Sequence, residues 1–142
     1  PDHIRGALKA YRKACYEQMQ GLRPAMGWDT VDEFLALYND WKVVTLPQLA
    51  VKHLKPTGYN YNKKARFKQG QAFYRMRYRP LLTAIASLKM AIRKKSLRFL
   101  VNTLWGFVLS WKNRDSFLVD RKQGRFIRNL RYRKIIQKLI GR

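Results

Sequence analysis

The chain is poor in the residue types that most often carry redox, acid–base and metal chemistry. Among 142 residues it has one cysteine, two histidines and eight carboxylates. The lone Cys15 excludes an internal disulfide framework and fits a reducing compartment. No partner motif surrounds it, so it reads as a small structural hydrophobe. Long apolar runs are also missing. The longest charge-free run, 99–111, is thirteen residues, short of the roughly 20 that a membrane span needs. There is no nucleophile elbow, Walker loop, CxxC pair, HExxH or GxGxxG. Most self-contained enzyme classes are thereby removed, but not an enzyme whose nucleotide site lies elsewhere. No internal repeat or low-complexity segment is present. The chain starts at Pro1 with no signal-peptide pattern, and the simplest reading is a piece of a longer protein.

What the chain has in excess is positive charge, a net +23. Its distribution is uneven. Residues 1–51 carry six Lys/Arg and six Asp/Glu, whereas 52–142 carry 25 basic residues and two acidic ones, Asp115 and Asp120. Such a field attracts nucleic acid, anionic lipid or phosphorylated substrates.

The segment 27–58, GWDTVDEFLALYNDWKVVTLPQLAVKHLKPTG, holds Asp29, Asp32, Glu33 and Asp40, half of all carboxylates. Before it, 4–11 reads as a short strand and 12–19 as a short helix closed by a left-handed Gly21. Thr30 and Glu33 fit a capping box, with Val31, Phe34, Leu35 and Tyr38 on one helical face. Residues 41–46 and 49–53 are β-rich and split by Pro47, and 59–64 reads as a loop. From Ala65 the pattern is helical. Phe67, Tyr74 and Tyr78 line a first helix. Pro80 opens a second, with the face Leu81, Ile85, Leu88 and Ile92. Leu97, Val101, Leu104, Val108 and Trp111 line a third, and 126–140 forms a fourth. The run 99–111 suits either a buried helix or an interfacial one with Trp105 and Trp111 at headgroup level.

Acidic residues in the first turn of a helix are stabilised by its macrodipole, by roughly 0.3–1 kcal/mol each, so this cluster has a purely structural reading. Its functional reading rests on Asp29, at a loop-to-helix junction where a general base is often seated. A single His53 is a weak metal signal. Lys55, Thr57 and Gly58, which follow it, suit either diphosphate contact or a solvated turn.

The runs GALKAYRKACYEQMQGL and MGWDTVDEFLALYNDWKVVTLPQLAVKHLKPTG, followed by YNKKARFKQGQAFYRMRYRPLLTAIASLKMA, together resemble the C-terminal half of a bacterial family-two glycosyltransferase. GWDTVDE resembles a variant of the acidic motif of these enzymes, and VKHLKPTG their strand-end His segment. The resemblance implies an α/β fold, the C-terminal part of a GT-A nucleotide-sugar transferase over 1–58, followed by a mainly helical basic tail over 59–142. It implies inverting transfer from a nucleotide-sugar donor to a glycan or lipid-linked acceptor, with Asp29 as general base. Trp28 stands where many relatives have Glu. Trp28, Asp32 and Glu33 are then acceptor-binding or structural, His53 neighbours the metal or diphosphate, and Lys55 and Thr57 contact the diphosphate.

The implied cofactor is a divalent metal, Mg or Mn. The family's Asp-x-Asp motif has no match here, so the metal is expected to be held mainly by a missing N-terminal half, without which this chain is inactive. The tail is expected to lie on the anionic inner face of the membrane, giving a cytoplasmic, peripherally associated enzyme. The alternative is a nucleic-acid-binding module, since KKARFKQGQAFYRMRYR interleaves cations with aromatic rings.

Overall fold

The computed structural model describes residues 9–46, 48 and 67–141. They form six helices: α1 (Lys13–Gln18), α2 (Trp28–Tyr38), α3 (Lys68–Arg75), α4 (Pro80–Arg93), α5 (Leu97–Lys112) and α6 (Arg121–Leu139). The chain divides into two compact units, Pro1–Lys64 and Ala65–Arg142.

No strand occurs among the described residues, which overturns the α/β GT-A architecture expected for 1–58. Residues 41–46 show why. Their composition suits a strand, but a strand exists only when a neighbour closes its hydrogen-bond ladder. Here the segment runs irregularly, with Val44 and Leu46 exposed. It is tied back at its start, where Trp41 Nε1 donates to Gln18 Oε1 at 2.7 Å. Residues 9–11, the described part of the first expected strand, are also irregular. The expected strand 49–53 lies outside the described residues.

In the first unit, Cys15 of α1, its C-cap Met19, and Val31, Phe34, Leu35 and Ala36 of α2 are buried. Burial pushes the Cys15 thiol pKa up, consistent with an inert packing role. The start of α2 differs from the expected capping box. Gly27, at φ 85°, is the N-cap, and no side chain caps the helix. Thr30 and Glu33 therefore sit within the helix. A capping box does occur at α6, where Asp120 accepts from the Gln123 backbone and Gln123 reaches back to Asp120. That cap starts α6 five residues before the apolar pattern that marked it.

The helices from α1 to α5 end alike. Each places a non-glycine residue in the left-handed region just past its cap: Gln20, Asp40, Arg77, Lys95 and Arg114. The next residue's N–H then reaches back to a carbonyl of the last turn, as from Trp41 to Ala36, Tyr78 to Phe73 and Ser96 to Ala91. These Schellman closures satisfy the last carbonyls and turn the chain sharply. In α1 the closure recruits Gln20 as well as the expected Gly21.

In the second unit, α3 and α4 both pack on α5. The α3–α5 crossing is very close because each helix offers a glycine. A Cβ on Gly70 would stand 1.8 Å from the Thr103 carbonyl oxygen, and one on Gly106 would stand 2.1 Å from that of Phe67. Small polar side chains are also fully buried on α4 and α5, Thr83 and Ser87 of the first and Thr103 and Ser110 of the second. Thr103 donates to the Phe99 carbonyl one turn back, and Ser110 to the Asp115 carboxylate. The α5–α6 connection is anchored on the end of α3. Leu118 N–H donates to the Arg75 carbonyl at 2.8 Å, and Arg77 Nε to that of Val119 at 2.8 Å.

The apolar faces read from the sequence do not form the core of this unit. Leu81, Leu88 and Ile92 of α4 are exposed, as are Leu97, Val101, Val108 and Trp111 of α5. Leu82, Ala91, Phe107 and Ile127 are buried instead. Apolar periodicity identifies a face but not the partner that covers it. The glycines and hydroxyls, which allow the closest backbone approach, select the inward side.

Candidate functional site

Of the expected site residues, Trp28, Asp29, Asp32 and Glu33 lie at the start of α2. His53, Lys55 and Thr57 lie outside the described residues. The left-handed Gly27 lets the chain turn directly into the helix, with Trp28 and Asp29 in its first turn.

The three carboxylates of α2 have different surroundings. Asp32 is buried and faces Lys9, whose ammonium stands 2.8 Å from Oδ1 and 3.1 Å from Oδ2. Tyr11 donates its phenolic O–H to Asp32 Oδ2 at 2.5 Å. Glu33 takes a second ion pair with the same ammonium, at 3.2 Å. Lys9 also donates to the Asp29 backbone carbonyl. Burial first, and then the Asp32 hydrogen bond and charge, push the Tyr11 phenol well above its usual range. Asp29 is exposed, and its side chain has no ion pair with a described residue.

Lys9 and Tyr11 are the members of this site that a sequence reading overlooks. Their signal is the i, i+2 spacing of an ammonium and a phenol just before α1, matched by adjacent acidic residues in α2. An extended segment presents alternate side chains to one side. Trp28 is buried beneath the Arg23 guanidinium, which stands 5.5 Å from its ring centre. Its indole N–H has no partner among the described residues.

These carboxylates do not make a metal cage. Asp32 and Glu33 already hold an ammonium, and no group of three or more metal-binding side chains occurs among the described residues.

The second unit carries the positive charge. Residues 65–142 hold 21 Lys/Arg against Asp115 and Asp120. Several arginines are fixed by the fold. Arg128 donates to the Arg77 carbonyl at 2.9 Å, and Arg131 Nε to the Tyr78 hydroxyl at 2.8 Å. Burial, together with Arg79 and Arg125, lowers the Arg128 pKa, so the guanidinium groups here crowd one another. No described helix is long and apolar enough to cross a membrane.

The chain matches no protein-family profile, no curated protein and no solved structure.

Proposed function

We propose that the first unit forms the acceptor-side wall of an inverting glycosyl transfer site, with Asp29 as general base. The observation that carries this reading is the unequal use of the carboxylates in α2. Asp32 and Glu33 are engaged by Lys9, while Asp29 stands exposed in the first turn. A base must be unblocked and within reach of the incoming hydroxyl, and Asp29 is exposed in the first turn of the helix, where the macrodipole favours negative charge.

The reaction class comes from the sequence resemblance. Asp29 takes the acceptor hydroxyl proton as the oxygen bonds to the anomeric carbon. The bond from that carbon to the nucleotide diphosphate breaks on the opposite side, and the configuration inverts. In this reading the nucleotide sugar and its divalent metal are held mainly by an N-terminal half, with His53 beside the metal or diphosphate and Lys55 and Thr57 on the diphosphate. On the same reading the wall is built from a loop and a helix end, since the described residues hold no strand.

Asp29→Asn in the full-length protein is expected to lower transfer by roughly 10²–10⁴-fold, measured over a panel of nucleotide sugars, while donor affinity stays unchanged. Turnover near the wild-type rate removes Asp29 from the base role.

A further inference from the structure

Helices α4 and α5 turn several hydroxyl-bearing side chains inward while leaving a number of large apolar ones exposed. On α5 the inward face is Thr103, Gly106, Phe107 and Ser110. Opposite them, Leu97, Val101, Trp105, Val108 and Trp111 recur at steps of four and three, which places them in one stripe along the helix. All five are exposed, Leu97 by 75% and Trp111 by 64%. The adjoining α4, which packs on α5, exposes Leu81, Leu88 and Ile92. Soluble monomers seldom leave such faces in contact with water.

Charge selects the occupant. A second copy laid on this stripe would bring together two units that each hold 21 cations against two carboxylates. Nucleic acid would satisfy the cations but leave the aliphatic stripe in water. An anionic bilayer satisfies both. The stripe enters the boundary between headgroups and acyl chains, and the tryptophan rings sit at headgroup level. Exposed Arg98 and Lys112, near the two ends of α5, reach the lipid phosphates. So do Lys94 and Lys95 in the α4–α5 connection, where the Lys94 ammonium already lies 4.0 Å from the centre of the Phe99 ring.

We propose that the α4–α5 pair is a bilayer-docking element, with α5 lying in the headgroup plane of an anionic membrane through its Leu97–Val101–Trp105–Val108–Trp111 stripe. This places the contact on the second unit and does not depend on the transferase reading.

The test is flotation of the full chain with vesicles of phosphatidylglycerol and phosphatidylethanolamine, and with phosphatidylcholine alone, at physiological salt. Wild-type protein is expected to float with the anionic vesicles only. Val101→Asn with Trp105→Ser changes two exposed positions and should keep the helical circular dichroism. This variant is expected to lose vesicle affinity by roughly tenfold or more while retaining binding to heparin and RNA. Asp29→Asn is expected to float like wild type, so a failure of docking and a failure of transfer read separately. Three results would overturn the proposal: equal flotation with both lipids, undiminished flotation of the double variant, or a solution dimer that the double variant dissolves.

Discussion

Gly70→Ala tests the close α3–α5 crossing by the sign of its effect. In an isolated helix this change is stabilising by about 1 kcal/mol, because alanine is the better helix former. In the packed unit the new methyl would lie 1.8 Å from the Thr103 carbonyl oxygen and 2.6 Å from the Phe107 nitrogen. Ordinary contact begins near 3.4 Å, so α3 would have to withdraw from α5 by the difference, 3.4 − 1.8 = 1.6 Å, along that direction. The obstacle is helix backbone, which cannot change rotamer to make room. Overpacking of this kind costs about 3 kcal/mol at the upper end of its usual range. Subtracting the propensity gain leaves a net loss of about 2 kcal/mol. Urea denaturation followed by helical circular dichroism would read this as a lower midpoint. For a unit of this size the loss corresponds to a fall in Tm of roughly 8–16 °C. Gly106→Ala addresses the same crossing from α5, so the double variant should lose less than the sum of the two. A rise in the midpoint for Gly70→Ala would refute the close crossing and, with it, the reason the small residues face inward.

The ion pair in the first unit supports two further predictions. Lys9→Met leaves Asp32 buried without its cation, which should destabilise the unit by about 3–5 kcal/mol. Adding Asp32→Leu should restore part of the loss, and denaturant midpoints of the single and double variants measure this coupling. Tyr11 predicts the pH response. Its folded pKa is raised above the ordinary value of 10.0, so above about pH 10 the unfolded chain binds fewer protons than the folded one. Its contribution is therefore complete below that pH and lost as the pH rises through the folded pKa. Midpoints measured across the alkaline range should fall less steeply in Tyr11→Phe, and parallel curves for the two proteins would sink the assignment.

The helices themselves were largely legible in the sequence, because their signals are local. Pro80 at the start of α4, the apolar repeat of α5 and the turn at Gly21 all act within a few residues. Two kinds of inference failed for physical reasons. The strand expected at 41–46 required a partner, and no local property supplies one. The start of α2 was assigned to Thr30 because a threonine followed by glutamate fits a capping box, whereas Gly27 turns the chain three residues earlier. The inward faces of α4 and α5 were hidden for a related reason. Leucine and valine spacing finds an apolar side, but Gly70 and Gly106 decide which side another backbone can approach. At the candidate site, the acidic cluster was visible, but not its division into engaged and open carboxylates. That division depends on Lys9 and Tyr11, which are 23 and 21 residues from Asp32 in the chain.

The glycine seam separates two selective demands that usually compete. In most small helical proteins the largest apolar side chains hold the fold together, so a change made for the sake of a partner endangers stability. Here two glycines let the α3 and α5 backbones meet closely, while Leu97, Val101, Trp105, Val108 and Trp111 of α5 stay exposed. That outer stripe is free to change in size, depth and charge while the seam holds the scaffold constant beneath it.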